Sequence, residues 1–428
     1  MSAQLLGQTA DSLTTITLAQ VLIFNLSAGP SLTAMTSSLV VSLIPYLVVG
    51  PISGDFADRF HRRILLSRGQ LLRAAFTLLA TISTFTSLSG GRLVGFVCFC
   101  ALLCLTRLLY TARATSLAAL VRRHELVAAD SSSLILGVIA GATGALISSQ
   151  FSTQMPPVAF LISGTMHILA ARQFAVIETE LGGGARRTKT IRPSALLRQL
   201  WLPKTRFAMA ATATHRALLG VCIASIAVMI DKSYNLNTTG YIAVLGFSAA
   251  GNFGGSVTAE WTSEKFPRRS ITVIAFSLTG FAIALACIFT NPFVALGAIT
   301  VAAFSFQNLR VRSDATIQAN ASKANLGKIF ASYDVLYNVA FIGGGIVGIS
   351  ATSFFKYQVV LAFVCGAYSV FAVIFTQLKD GKETKSTHSF GDADYASQAR
   401  EQWHPSAMLP IPALSNSQFS QTRTDSNI

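Results

Sequence analysis

Residues 54–63 read GDFADRFHRR, two Asp, three Arg and one His within ten positions, and they lie between two long apolar runs. Elsewhere charge is scarce. The 428-residue chain is 52% hydrophobic and 12% charged, with a mean hydropathy of +0.54, whereas soluble domains carry roughly 25% charge. Apolar runs of about 20 residues recur throughout, the length that crosses a bilayer as helix. Segments of about ten residues alternating polar and apolar, the mark of a membrane barrel, are not visible. The expected class is therefore an all-α membrane protein, and the 54–63 cluster is a loop held at the membrane surface.

Twelve spans are expected, at about 4–26, 35–57, 64–88, 93–117, 126–150, 157–178, 206–231, 238–259, 270–290, 293–313, 327–352 and 357–377. They divide the chain into an N-terminal six-helix bundle (1–179), a polar linker (180–205), a C-terminal six-helix bundle (206–378) and a disordered polar tail (379–428). The first span starts close to Met1 without a basic leader or cleavage site, so it is expected to be retained. Of the 33 Lys and Arg, 26 fall in one set of loops or in the tail and three (Arg92, Lys232 and Lys356) in the opposite set. By the positive-inside rule both termini and the linker are cytoplasmic. The net charge of +15 then faces anionic lipid headgroups, and no nucleic-acid partner is needed. The six Cys lie in apolar runs without metal-like spacing, so neither a disulfide framework nor a metal site is expected.

The opening loop has a second copy. Residues 58–63, DRFHRR, are matched 206 positions later by EKFPRR at 264–269, and at the same offset Gly137 meets Gly343. Matching loop chemistry at matching places in the span order implies an internal parallel repeat, as in transporters that move one half against the other.

Gly54, Asp58-Arg59 and Arg62-Arg63 in the loop after span 2 resemble the signature of the major facilitator superfamily. The run SLIPYLVVGPISGDFADRFHRRILL (42–66) and TARATSLAALVRRHELVAADS (111–131) are most similar to its macrolide-efflux-like and enterobactin-exporter-like branch. The resemblance covers spans 1–12. It implies a fold of two pseudo-symmetric six-helix bundles with spans 1, 4, 7 and 10 around a central cavity. It also implies that Gly54, Asp58, Arg59, Arg62, Arg63 and Arg113 form a latch between the halves, and a bacterial inner (plasma) membrane location. Asp58 is expected to accept from Arg113 and to face the positive N-terminus of span 11. The three Arg would hold the loop inside against headgroups. In span 5, GVIAGATGA (137–145) departs from the family's antiporter motif, with Ala142 in place of Pro and Ala145-Leu146 in place of a Gly pair.

Ionisable groups at membrane depth are costly and point to function. These are Asp11, Arg107, His215, Arg216 and Asp334, with Gln307 and Asn308 polar in span 10. Asp11 is the expected proton-coupling carboxylate, with Arg107 or Arg73 as partner; a static Asp–Arg bridge is the alternative. No P-loop or catalytic constellation is present, so an enzyme is not expected, and no cofactor is implied. The expected function is proton-coupled export of amphipathic small molecules by a monomer using alternating access. Uptake of a polar nutrient with protons, or a non-transporting scaffold, are the alternatives. Few polar and many aromatic groups in the cavity spans favour the amphipathic substrate.

Overall fold

The computed structural model describes residues 1–22, 47–85, 89–151, 155–179, 181–184, 198–234, 237–289, 291–322 and 325–378. The first part of the expected span 35–57, most of the 180–205 linker and the 379–428 tail lie outside them. Among the described residues every regular element is helical: α1 (Ser2–Leu22), α2 (Gly50–Arg59), α3 (Arg62–Phe85), α4 (Ser89–Leu120), α5 (Leu126–Phe151), α6 (Pro156–Val176), α7 (Pro203–Tyr234), α8 (Asn237–Lys265), α9 (Arg268–Ile288), α10 (Pro292–Asn320), α11 (Leu326–Phe354) and α12 (Tyr357–Gln377). A 3-10 turn, Arg123–Glu125, precedes α5.

Eight of these, α4–α7 and α9–α12, are long and apolar enough to cross a membrane. Twelve spans were expected; α1, α2, α3 and α8 do not reach that mark on their described residues. α2 is described over ten residues only; in the other three the reason is polar load. α1 carries Gln4, Gln8 and Asp11, α3 carries Arg62, Arg63, Arg68 and Arg73, and α8 ends in Glu260, Glu264 and Lys265. Large apolar side chains such as Phe281, Phe293, Phe354 and Phe363 stand exposed, as suits helices whose outer faces meet lipid. The chain is an integral membrane protein.

Contacts repeat six helices apart. α1 packs on α5 and α6, as α7 does on α11 and α12; α3 packs on α4 and α6, as α9 does on α10 and α12. Across the chain's midpoint, α2 meets α11 and α8 meets α5, while α4 touches α11 and α10 touches α5. The loop repeat survives in the fold, since α2 ends at Arg59 and α8 at Lys265, and α3 starts at Arg62 and α9 at Arg268. The Gly137–Gly343 match does not. Helices α5 and α11 start 200 residues apart, and it is Gly144 and Gly344, also 200 apart, that lie against the neighbouring backbone. A Cβ at 144 would stand 2.5 Å from the Thr9 carbonyl of α1, and one at 344 would stand 2.0 Å from the Ala217 carbonyl of α7. Gly343 has nothing within 4 Å.

Lipid is as apolar as any side chain, so helices in a bilayer associate through close fit and interhelical hydrogen bonds. Both devices hold α1. Ser12 donates to the Gly141 carbonyl at 2.9 Å, Thr17 pairs with Ser148 at 3.0 Å, and Thr14 pairs with Ser163. Between α8 and α10, Gln307 donates to Ser256 at 2.9 Å, and Asn308 bonds Thr258 and Thr262 at 3.1 and 2.9 Å. These two amides, expected near the transport path, are buried helix-to-helix fasteners. Gly344→Ala is expected to destabilise the fold by about 1–3 kcal/mol through overpacking. Gly343→Ala, in open space, should be neutral or slightly stabilising. Thermal unfolding of both variants in detergent checks the contrast.

Candidate functional site

The first four N–H groups of a helix have no partner within it. At α11 the N-cap residue Asn325 makes no side-chain cap bond. Asp58, at the end of α2, supplies the acceptor instead: Oδ1 accepts from the Gly327 N–H at 2.8 Å and Oδ2 from the Lys328 N–H at 3.1 Å. Approach this close needs both chains bare of Cβ. A Cβ on Gly54 would lie 2.6 Å from the Gly327 carbonyl, and one on Gly327 would lie 2.5 Å from the Gly54 carbonyl. Burial pushes the Asp58 carboxyl up from its ordinary value, and the two N–H donors and Arg62 pull it back only in part.

The arginines divide. Arg62 is buried, not at the headgroups as expected. Its Nη2 lies 3.6 Å from Asp58, Nε donates to Ala57 O at 3.1 Å, and Nη1 donates to Thr115 O at 2.8 Å and Leu181 O at 3.3 Å. Loss of water lowers its basicity, against the pull of Asp58. Arg59 pairs with Asp55 at 2.7 Å, Lys328 Nζ reaches the same carboxylate at 3.1 Å, and exposed Arg63 donates to Ile177 O at 3.0 Å. Arg113, the expected donor to Asp58, lies elsewhere. It stacks 5.5 Å from the Tyr110 ring, and the Gln8 amide oxygen, when turned towards it, accepts at 2.6 and 3.1 Å.

Three glycines close the loop from above. Gly182, Gly183 and Gly184 all have positive φ, 77°, 83° and 72°, a region L side chains avoid. A Cβ at 183 would meet the Phe60 carbonyl at 2.2 Å, and one at 184 would meet the His61 ring at 2.5 Å. The start of the linker is thus moulded onto the α2–α3 turn, and Gly184 makes room for His61.

Deeper in, acids and bases line the seam between α1–α6 and α7–α12. Asp11 pairs with Arg73 at 3.3 Å, and Thr106 donates to both of its oxygens at 3.0 and 3.2 Å. Arg107 pairs with Asp334 across the seam at 3.9 Å, not with Asp11. Asp334 also accepts from Tyr337 at 2.7 Å and Asn338 at 3.0 Å. Arg310, expected in a loop, is inside α10, which continues to Asn320; it lies 3.6 Å from Asp314 and donates to the Tyr110 hydroxyl of α4. Gln318 donates to Asp130 of α5 at 3.1 Å. Asp130, Asp314, Tyr110 and Gln318 escaped the sequence reading. Asp130 and Asp314 sit near span ends, where a charge reads as a loop residue. His215 is fully buried against Phe276, Phe306 and Tyr368, its Nε2 3.3 Å from Thr279. Arg216 lies between the Phe306 and Phe341 rings, 4.4 and 4.1 Å away. Among the described residues no three His, Cys, Asp or Glu gather as a metal site.

No protein-family profile and no curated protein matches the sequence. Solved structures do match the fold. A bacterial homologue of the iron transporter ferroportin, in its outward-facing state, is 14% identical with a TM-score of 0.65 over 88% of this chain and 97% of its own. FucP, a major facilitator superfamily transporter in the outward conformation, is 14% identical with a TM-score of 0.62 over 88% and 98%. The human organic anion transporter MFSD10 is 13% identical with a TM-score of 0.64 over 87% and 98%. The chain has the major facilitator fold.

Asp58→Ala removes two charge-assisted bonds and leaves two helix-terminal N–H groups without an acceptor. It is expected to weaken the α2–α11 contact by on the order of 2 kcal/mol, about thirtyfold in its equilibrium constant. Lys328→Ala, breaking a half-exposed pair, should cost less than about 1 kcal/mol. Distances between spin labels at exposed Phe60 and Ser322 measure both.

Proposed function

We propose that this protein is a secondary active transporter that exports amphipathic small molecules against protons by alternating access. The observation that carries the reading is the seam itself. Ion pairs and hydrogen bonds join α1–α6 to α7–α12, as in Arg107–Asp334 and Arg310–Tyr110, and a bilayer protein retains such costly groups where parts must meet and part. In this reading the α2–α11 clasp of Gly54, Asp58 and Arg62 is the cytoplasmic latch of the outward-facing state, with Arg59, Arg63 and Lys328 at its rim. Residues 1–179 and 206–378 move as two bodies joined by the 180–205 linker. The protein acts as a monomer in the inner membrane with both termini inside, and its basic loops lie on anionic headgroups.

Support for an amphipathic substrate comes from how polar groups are used. Gln307 and Asn308 are occupied by α8, and His215 is enclosed by rings, whereas Phe306 and Phe341 flank the Arg216 guanidinium. Flat apolar faces beside a cation suit an amphipathic or aromatic molecule more than a sugar. Asp11, partly exposed and held by Arg73 and Thr106, is the coupling carboxylate: substrate or helix movement that displaces Arg73 would release or admit its proton.

A second reading, proton-coupled uptake, is favoured by the likeness to a fucose:proton symporter. Inside-out vesicles carrying a proton gradient separate the two. Lipophilic cations, macrolides and siderophores are added in turn to wild type and Asp11→Asn. Export predicts that one compound discharges the gradient and that Asp11→Asn abolishes the discharge. Accumulation of a polar nutrient in right-side-out vesicles under an inward gradient, with no effect of any compound, would establish uptake instead.

A further inference from the structure

Where α5 meets α10, one carboxyl from each helix lines a void of about 10 Å³, about the volume that one water needs. We propose that Asp130 and Asp314 share a single proton across this seam and give it up to water when the halves separate. The inference rests on the alternating-access reading and adds to it a second protonation site, distinct from Asp11.

Both side chains are more than nine-tenths buried, 5% and 3% exposed. Each has one oxygen in contact with a neighbour, a hydrogen bond for Asp130 and an ion pair for Asp314, and one open. Asp130 Oδ1 accepts from neutral Gln318 at 3.1 Å, and Asp314 Oδ2 lies 3.6 Å from Arg310. Among the described residues Asp130 Oδ2 and Asp314 Oδ1 have no partner at hydrogen-bond distance; the Tyr333 hydroxyl, likewise unpartnered, faces Asp314. An acceptor-only oxygen buried without a donor is costly, and two such oxygens on like charges cannot both stay ionised cheaply. One proton resolves both problems: the carboxyl that carries it donates, directly or through one water, to the other carboxylate. The pair takes up H⁺, and no bond other than O–H forms or breaks.

Neighbouring helices fix the charge balance. α4 brings Tyr110 and Arg113, α10 brings Arg310, and α11 brings Tyr333 and Asp334; α1 brings Gln4, bonded to Ser133, and α8 brings Ser256, whose carbonyl accepts from Ser131. Arg113 lines the same void. Its positive charge and the small volume oppose a calcium or magnesium ion, which takes six or more oxygens, but leave room for a proton. Opening the seam hydrates both carboxyls, which then ionise as ordinary aspartates. Closure therefore takes up a proton and opening releases it, so above the ordinary aspartate range each rise of one pH unit lowers the closed-to-open ratio by up to about tenfold, until the closed pair itself ionises.

Infrared spectra of the full chain in lipid nanodiscs, titrated with pH and with no substrate, test this directly. The expected result is a protonated-carboxyl signal at pH 7 that disappears in both Asp130→Asn and Asp314→Asn, because either change dissolves the pair. Persistence in both variants overturns the site, and loss in only one overturns the sharing. Should either variant fail to fold, Gln318→Leu keeps both carboxyls and removes a donor to the ionised form. It should move the loss of the signal to higher pH, and no movement overturns the proposal. Failure of the vesicle assay would leave this result untouched.

Discussion

The carboxylate of Asp58 stands at the N-terminus of a helix that begins 268 residues later in the chain, and much of this end of the molecule is arranged around that meeting. Helix α11 lacks a local cap, so its first N–H groups find their acceptor on α2. The contact demands glycine on both sides, at 54 and 327. It also demands that Arg62 be buried to balance the charge, and burying Arg62 in turn draws on carbonyls from α2, α4 and the start of the linker. The positive-φ glycines 182–184 then follow, because only they fit against Phe60 and His61. One charge-assisted cap thus ties together two helices, a turn and a linker.

The internal repeat makes this more instructive. Glu264 occupies the position 206 residues after Asp58, yet it is exposed. The helix it would cap, α5, is preceded by its own turn, where Glu125 accepts from the Arg122 N–H at 2.9 Å. The matching loops thus meet their surroundings differently: Asp58 bonds the start of α11, whereas Glu264 is exposed.

Charge within the seam is balanced. Asp334 meets Arg107 across it, Asp314 meets Arg310 on α10, and Asp11 meets Arg73 within the first six helices, while the proton proposed between Asp130 and Asp314 removes one further negative charge. In a low-dielectric interior unpaired charges are prohibitive, so the seam is stable only when these groups meet. Any movement that parts them must hydrate them at once. Such coupling between charge, water and helix position is the physical basis on which an ion gradient could drive the chain.

The class was legible in the sequence because composition and run length depend on the solvent alone: a bilayer demands apolar helices, and loops keep the charge. The GDFADRFHRR loop was legible too, since ten residues held its glycine, its acid and its basic anchors, and the N-terminus of α11 was correctly expected opposite Asp58. Partner choice was legible only in part. Of the two partners expected for Asp11, the fold supplies Arg73 and gives Arg107 to Asp334; Arg113, expected at Asp58, lies against Tyr110 and Gln8. Arg310 was counted with the loops, and Asp130 and Asp314 were not singled out, because the helices overrun the apolar runs that reveal them. A sequence reports how much charge a segment carries. Which acid meets which base depends on helix rotation and crossing, and those are set by close contacts such as Gly144 on α1 and Gly344 on α7, decided only when the whole chain is packed.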